Sequence, residues 1–256
     1  MELCIMTFNL RVDIPSDGEN KWLNRAEKVA EMIVKHNPII ICIQEALSYM
    51  LTDIINRLDA YQWIGQGREA GNKGEFSAIL YKKDVLKVIE KGQFWLSEQE
   101  DKPGSISWGA DFPRICTWGL FQSLQQPEKE FYTYNTHLDH ISQEAREKGV
   151  QMIWDKMSAH HQKTRPAFLT GDFNATPNNN VIKFLKSKKE LIDAYSGMQG
   201  EVGSTFHSFL GGTIGDPIDY IFTTPNVQLQ KTIVDRSKVN DGFPSDHYPV
   251  ILKASI

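Results

Sequence analysis

The sequence lacks a long hydrophobic run, has few cysteines and carries no excess of positive charge. No stretch of about 18 apolar residues occurs, which argues against a membrane-spanning helix. The three cysteines, Cys4, Cys42 and Cys116, each lie in an apolar run, which favours buried reduced thiols over a disulfide framework or a metal site. The formal net charge is -4, so we expect no broad basic surface for long nucleic acid.

The sequence also shows no signal-peptide pattern and no interdomain linker. The N-terminus starts directly with the apolar residues 3–8, without the basic region and long apolar segment of a secretion signal, so we expect a cytoplasmic protein. A length of 256 residues allows two small domains or one large one. Because no linker is visible, we expect residues 1–256 to form a single domain, with no membrane association and no protein partner.

Strand-length apolar runs alternate with segments of helical periodicity. Residues 22–36 repeat apolar side chains at helical spacing and stop at Asn37 and Pro38, whereas residues 39–43 are uninterrupted aliphatics of a buried strand. Because hairpins are also frequent, the pattern predicts an α/β fold of two mixed, mostly antiparallel sheets, packed face to face with helices outside. Further strands are predicted at 3–8, 61–64, 76–81, 85–95, 115–124, 131–135, 167–171, 218–222, 227–234 and 248–252, and further helices at 50–58, 142–160 and 181–185.

Polar clusters follow five of the apolar runs. The clearest is Gly171-Asp172-Phe173-Asn174, which comes directly after residues 167–169. Taken alone it is ordinary turn chemistry, since Asp and Asn tolerate left-handed backbone and bond their own main chain. Four similar clusters at other strand ends indicate instead a site assembled at a sheet edge. They are Asn9, Gln44 with Glu45, Asn135-Thr136-His137, and Asp246 with His247.

The clusters offer hard oxygen ligands, which select Mg²⁺ or Mn²⁺ over zinc. A divalent ion held by carboxylates can bind a phosphate oxygen, stabilise developing charge and activate a water, so phosphoester hydrolysis is the natural reaction. A zinc site is the alternative, because residues 135–140 resemble the His-x-His-x-Asp-His motif of the metallo-β-lactamase fold. Its first histidine is Asn135 here, which argues against zinc. The oxygen donors are Asn9, Glu45, Asp172, Asn174 and Asp246.

Six short motifs in this order resemble those of the endonuclease/exonuclease/phosphatase superfamily. The likeness spans residues 7–250, and residues 137–140 with the Arg114 segment are most similar to the bacterial branch related to nocturnin and the mRNA deadenylases. The motifs are Thr7-Phe8-Asn9, Gln44-Glu45, Asn135-Thr136-His137, Gly171-Asp172-Phe173-Asn174, Ile218-Asp219-Tyr220 and Ser245-Asp246-His247-Tyr248-Pro249-Val250.

This resemblance implies a four-layer α/β sandwich and metal-dependent hydrolysis of a phosphoester. Glu45 is then the principal metal ligand, helped by Asn9 and Asp246. Asp172 is expected to orient or deprotonate the attacking water, and Asn174 to hold that water or a phosphate oxygen.

The same resemblance assigns two histidines to the phosphate. His247, oriented by Asp219, is expected to hydrogen-bond the phosphate and stabilise the charge of the transition state, with His137 acting from the other side. Glu75 is a candidate for orienting His137, and an exposed hairpin charge is the alternative reading. Arg114 is a candidate phosphate clamp, and a structural salt bridge is its alternative.

Three further assignments come from the residues themselves. Asp139 and His140 are either pocket residues, with Asp139 touching substrate, or helix-capping residues. Arg68 and Lys73 lie near the polar clusters in sequence and could contribute to a local cationic pocket for one phosphate, but we expect both to be solvated surface charges. Trp108 and Phe112 could stack on a base, although aromatic side chains more often pack in the core.

Three functions compete at this level. The first is a divalent-metal-dependent phosphohydrolase acting on a small phosphoester, a nucleotide or a short nucleic-acid end. The second is a nuclease or a 3′–5′ RNA deadenylase-like exonuclease. The third is a non-catalytic binding module, which is disfavoured because no position of the expected metal or catalytic set has become apolar.

Overall fold

The computed structural model describes residues 1–160 and 165–256 as two mixed six-stranded sheets packed face to face with helices outside, which confirms the predicted α/β sandwich. The ends of the predicted helices and strands differ from the observed ones by only a few residues. The strands are β1 (Glu2–Asn9), β2 (Ile40–Ala46), β3 (Tyr61–Ile64), β4 (Phe76–Lys82), β5 (Leu86–Trp95), β6 (Ile115–Ser123), β7 (Glu130–His137), β8 (Ala167–Asp172), β9 (Ile192–Asp193), β10 (Asp219–Thr223), β11 (Gln228–Val234) and β12 (Val250–Ser255). The helices are α1 (Trp22–His36), α2 (Ser48–Arg57), α3 (Gln143–His160) and α4 (Asn180–Lys186).

The strand order brings the ends of two parallel pairs to one side of the molecule. The first sheet has the order β11-β12-β1-β2-β4-β3 and the second β5-β6-β7-β8-β10-β9. β1 with β2 and β7 with β8 are parallel, and the other strand pairs of the described chain are antiparallel. Parallel strands end at the same edge of a sheet, so the polar clusters that follow them are neighbours in space.

Side-chain alternation along β1 explains how the layers hold together. Leu3 and Ile5 join the core that also contains the second sheet, whereas Met6 and Phe8 join a second core with α1 and α2. A strand has a side-chain period of two, so the uninterrupted apolar run of β1 serves both faces. β9 was not predicted, because two residues are too few for a pattern and its register comes from pairing with β10.

Asn135 ties the two sheets together. From β7 its Nδ2 donates to the carbonyls of Ile43 and Ala78 in the first sheet, each at 2.9 Å, and its Oδ1 accepts from Gln44 Nε2 at 2.6 Å. The side chain is fully buried. Since a buried polar group is stable only with its partners present, Asn135 fixes how the two sheets register at the end that carries the polar clusters.

We expect Asn135→Leu to lower the free energy of unfolding by about 3 kcal/mol, because the Gln44 amide and two carbonyls lose their partner in a dry interior. Urea unfolding followed by tryptophan fluorescence measures the change. Thr133→Val on the same strand is the matched control, since Thr133 is fully buried and its hydroxyl has no partner within the described residues. That control should change stability by less than about 0.5 kcal/mol. Equal losses in both variants would contradict the assigned role of Asn135.

The structure can be compared with the sequence expectations about membrane-spanning helices and about the three cysteines. Over residues 1–160 and 165–256, no helix combines the length and apolarity needed to cross a membrane. Cys42 and Cys116 are buried free thiols, as predicted, whereas Cys4 is a free thiol that is only half-buried. Burial raises the pKa of the Cys42 thiol to about 12, so that thiol stays protonated.

Candidate functional site

A cleft of about 590 Å³ opens where the strand ends meet. In the sheet registers, Asn9 pairs with Gln44 and His137 pairs with Asp172, while Asp219 begins β10 opposite Asp172. Polar side chains from both sheets therefore converge on one opening. The lining residues are Arg11, Val12, Ile14, Glu45, Arg68, Glu75, Phe112, Arg114, His137, His140, Asp172, Asn174, Phe206, Ile218, Asp246 and His247.

Glu45 and Asp172 face the cleft from different sheets and are joined by Asn9. Asn9 Nδ2 donates to Glu45 Oε1 at 2.8 Å and to Asp172 Oδ2 at 3.0 Å. The backbone N–H of Val12 donates to Glu45 Oε2 at 2.8 Å. The amide of Asn9 thus holds two carboxylates close together. Their negative charges repel each other, so this arrangement costs free energy unless a positive charge lies between them.

The backbone at Glu45 is in an unusual conformation. Its φ is 61°, in the left-handed region that residues with a Cβ rarely adopt. The pairing of β2 with β4 is irregular between Ile43 and Ala46, so an extra residue bends the strand there. Such conformations cluster at functional sites, and here the bend brings the Glu45 carboxylate to the cleft.

Asp172 is a buried carboxylate poised near neutrality. Burial raises its pKa to about 7, and the nearby charge of Asp219 adds to this shift. The backbone N–H of Asn174 donates to Asp172 Oδ1 at 2.9 Å and fixes the carboxylate. A group of this kind accepts and releases a proton around pH 7, as a general base must.

His247 is held by Asp219 and directed toward Asp172. Its Nδ1 donates to Asp219 Oδ2 at 2.9 Å, and its Nε2 lies 3.8 Å from Asp172 Oδ2. Burial opposes the charged ring, but the carboxylate of Asp219 prevails and raises the pKa of His247 to about 10. His247 is therefore an imidazolium at neutral pH, with one N–H committed to Asp219 and the other facing the cleft.

His137 faces the same opening as a neutral ring. Burial lowers the pKa of His137 well below its ordinary value, and the positive charges of Arg114 and His247 act in the same direction. Asn174 Nδ2 donates to His137 Nε2 at 3.0 Å and also to the carbonyl of Leu138 at 3.0 Å. The two histidines of the cleft thus differ in protonation state, with His247 charged and His137 neutral. Such a difference allows one site to contain both an acid and a base.

Asp246 is a further carboxylate that lines the cleft, together with Glu45 and Asp172. Burial raises its pKa, although the charge of His247 opposes the shift. Ser245 Oγ lies 3.3 Å from Asp246 Oδ1 and donates to the carbonyl of Asn9 at 2.7 Å. Arg11 Nε approaches Asp246 Oδ2 at 3.8 Å, while the Arg11 guanidinium makes a bidentate salt bridge with Asp17.

Arg114 contributes a buried cation to the cleft wall. Its Nε lies 3.4 Å from Asp139 Oδ2, and its Nη2 donates to His140 Nδ1 at 3.0 Å. Asp139 also accepts hydrogen bonds from the backbone N–H of Asp111 and from those of Ile141 and Ser142, which directly precede α3. Asp139 does not line the cleft; it lies behind Arg114 and holds the turn before α3, whose first turn is capped by Ser142 Oγ accepting from the N–H of Ala145 at 3.1 Å.

Arg68 differs from its sequence expectation, because it is not a solvated surface charge. Its exposed fraction is 7%, and it forms a bidentate salt bridge with Glu75 at 2.9 and 3.0 Å. The guanidinium also lies 4.5 Å from the centre of the Phe112 ring. The hairpin of residues 65–75 folds back and buries this pair in the cleft wall, so the carboxylate of Glu75 bonds Arg68 and not His137.

Most of the predicted site residues therefore meet in one place, while some lie behind it. Asp219 stands behind His247, and Asp139 stands behind Arg114. Sequence reasoning missed Phe206, which lines the cleft beside His247 with ring centroids 5.0 Å apart and is 42% exposed. The sequence did offer a signal for Phe206, because it is an aromatic residue in the glycine-rich stretch 197–215. Nothing in one sequence marks Arg68 as buried.

Residues 6–247 match the profile of the Endonuclease/Exonuclease/phosphatase family. The chain belongs to this family. This confirms the resemblance drawn from the ordered motifs, and family membership makes the protein a hydrolase.

Three relatives illustrate the range of the family. The solved structure of mannosyl-6-phosphatase Bt3783 from Bacteroides thetaiotaomicron is 34% identical, with 99% of this chain and 100% of that chain covered and a TM-score of 0.93. Nocturnin of Xenopus laevis is 22% identical over 96% of this chain and 71% of its own length. Protein angel of Drosophila melanogaster is 26% identical over 75% of this chain. The match covers 54% of Protein angel, so this chain spans about half of that relative.

Proposed function

We propose that this family member is a divalent-metal-dependent phosphohydrolase that cleaves a small phosphoester with an activated water. The observation that carries the proposal is the hydrogen-bonded group Glu45–Asn9–Asp172, which faces the imidazolium of His247 across one cleft. A carboxylate for a cation, a buried base and a charged hydrogen-bond donor are the three parts that hydrolysis of a phosphoester requires.

The residues of the cleft suit Mg²⁺ or Mn²⁺. Glu45, His137 and Asp172 each offer a ligand atom within 4.8 Å of the others, and the two carboxylates among them supply hard oxygens. We assign Glu45 as the principal ligand, with Asn9 and Asp246 as its helpers. A divalent cation bound there supplies Lewis-acid stabilisation of charge on a phosphoryl oxygen.

The protein groups have separate roles in the reaction. Asp172 takes a proton from the attacking water, and its raised pKa makes it a stronger base than an exposed aspartate. Asn174 holds that water or a phosphate oxygen. His247, kept protonated by Asp219, donates Nε2–H to the phosphate, and His137 binds the phosphate from the other side.

Several features favour a small substrate. A cleft of about 590 Å³ is of the size that binds small ligands, and the net charge of -4 disfavours a long polyanion. The similarity to a mannosyl-6-phosphatase supports a phosphomonoester such as a sugar phosphate. The rings of Phe112 and Phe206, each about two-fifths exposed at the cleft, are available to a sugar or a base.

A nuclease or 3′–5′ exonuclease is the second candidate. The likeness to nocturnin and the two exposed rings favour it, because aromatic rings accept any base by stacking. Salt separates the candidates, since binding of a long phosphate backbone weakens steeply with added salt.

The deciding experiment is a substrate panel in Mg²⁺ or Mn²⁺. It compares sugar phosphates, nucleotides, phosphodiesters and short oligonucleotides, with wild type against Glu45→Ala and Asp172→Ala. Turnover that needs the metal and disappears in both variants supports the proposal, and the preferred substrate decides between the two candidates. If no substrate is hydrolysed by a folded wild type, a binding function replaces the enzymatic one for that panel.

Arg114→Gln tests the phosphate clamp. Loss of a charge-assisted hydrogen bond costs about 1.5–3 kcal/mol, so we expect kcat/KM to fall about 10- to 100-fold, mainly through KM. Arg165→Gln is the control, because Arg165 makes its salt bridge with Glu130 on a distant hairpin. Steady-state kinetics measures both, and an unchanged KM in Arg114→Gln would remove this residue from substrate binding.

A further inference from the structure

Arg25 on α1 is a fully buried arginine that the proposed reaction does not use. Its guanidinium donates to four backbone carbonyls. Nη1 bonds Leu10 at 2.7 Å and Pro244 at 2.8 Å, Nη2 bonds Arg11 at 3.0 Å, and Nε bonds Asn20 at 2.5 Å. Four carbonyls, two of them from the adjacent residues Leu10 and Arg11, surround one planar fork and make a rigid, directional junction that a lysine cannot reproduce.

The bonded carbonyls belong to the segments that carry two proposed metal ligands. Leu10 and Arg11 directly follow Asn9, and Pro244 stands two residues before Asp246. One nitrogen, Nη1, bonds a carbonyl in each segment and so helps to fix their separation, together with Ser245 Oγ, which donates to the carbonyl of Asn9 at 2.7 Å. The spacing between Asn9 and Asp246 is therefore set from behind the cleft.

The surroundings of Arg25 indicate that its role is geometric. Within the described residues, all four acceptors of its hydrogen bonds are backbone oxygens, and none is a carboxylate. The rings of Trp22 and Phe209 flank the guanidinium at 5.6 and 5.4 Å. Contacts with two aromatic rings and four hydrogen bonds to carbonyls hold the guanidinium in one orientation.

We infer that Arg25 is a positioning residue that sets the cation affinity of the site by fixing the Asn9 segment against the Asp246 segment. The inference rests on the proposed function, which assigns both residues to the metal. Residues that orient metal ligands typically change metal affinity 10- to 100-fold when mutated, so an effect of that order is expected here.

The test is the dissociation constant for Mn²⁺ in chelator-treated protein, read from the electron paramagnetic resonance signal of free Mn²⁺. We expect Arg25→Lys to weaken binding about 10-fold or more, because the charge remains and the carbonyl junction is lost. Turnover at saturating Mn²⁺ should recover most of the wild-type rate. A lower melting temperature with an unchanged Mn²⁺ dissociation constant would contradict the inference and leave Arg25 with a structural role only.

Arg25→Gln separates geometry from charge. Removing a buried positive charge close to a cation site would by electrostatics alone tighten Mn²⁺ binding. The inference predicts the opposite sign, a weaker complex, because the glutamine amide cannot bridge both segments. Tighter binding in Arg25→Gln would overturn the inference, and this second variant also serves if Arg25→Lys does not fold.

Arg236→Lys is the matched control. Arg236 Nη2 also donates to backbone carbonyls, those of Val202 and Ser204, but it joins neither ligand segment. Its Mn²⁺ dissociation constant should stay within about twofold of wild type. If wild type takes up no Mn²⁺, the proposed metal site itself fails; if wild type binds and both Arg25 variants bind equally well, only the role of Arg25 fails.

Discussion

Glu45→Gln should lower kcat/KM by about 10³-fold or more while the protein stays folded. The substitution keeps the shape of the side chain and one of its two accepted hydrogen bonds, those from Asn9 Nδ2 and the Val12 N–H, and it removes the negative charge at the proposed cation site. Metal stabilisation of a phosphoryl oxygen is worth several kcal/mol, and about 1.4 kcal/mol corresponds to a factor of ten. Steady-state kinetics with the preferred substrate, together with Mn²⁺ binding, measures the loss.

Glu69→Gln is the control for this variant, because Glu69 lies in the hairpin of residues 65–75 and does not line the cleft. Its kinetics should match those of wild type. A Glu45→Gln variant that binds Mn²⁺ normally and retains most of its turnover would remove Glu45 from the metal site.

The second large effect is expected for Asp172→Asn, which should reduce kcat by about 10²- to 10⁴-fold, the usual contribution of a positioned base. The side chain keeps its volume but cannot take a proton from water. In wild type, burial and the charge of Asp219 raise the pKa of Asp172 to about 7, so the active carboxylate form declines as the pH falls through that value. A bound cation moves this midpoint to lower pH.

The pH profile distinguishes a base from a merely structural carboxylate. For wild type, kcat/KM should decrease about tenfold per pH unit on the acid side of the Asp172 pKa. The residual activity of Asp172→Asn should lack this acid limb. An unchanged acid limb in the variant would assign the titration to another group and contradict the role of Asp172.

The fold was predictable because its signals are local. The helical spacing of residues 22–36 and the aliphatic run of β2 each carry their own pattern, and both appear as expected. β9 was missed because only its partner β10 defines it. A pairing of two residues has no periodicity of its own to detect.

The position of the site was predictable where its polar residues lie at the ends of apolar strands. Glu45 and Asp172 lie at the ends of β2 and β8, and His247 lies just before β12. Parallel pairing sets Asn9 beside Gln44 and His137 beside Asp172, and antiparallel pairing of β12 with β1 brings the segment before β12 to the end of β1. The contacts of Arg68 and Glu75 were not predictable, because burial of an ion pair depends on how a hairpin packs against the loop carrying Phe112. Such packing is a tertiary property that one sequence does not display.

The strain at Glu45 was likewise invisible in the sequence. A left-handed φ on a glutamate has no local signature, and only the irregular pairing of β2 with β4 explains it. The role of Arg25 was invisible for a similar reason, since its guanidinium joins the backbone carbonyls of Leu10 and Pro244, which are far apart in the chain.

The most direct measurement of metal-dependent hydrolysis in this cleft is turnover of the preferred phosphoester by chelator-stripped protein titrated with Mg²⁺. We predict no turnover after stripping and full recovery on adding Mg²⁺, with no recovery in Glu45→Gln at the same concentrations. Full turnover by the stripped wild type, or equal recovery by the Glu45→Gln variant, would contradict the proposed site.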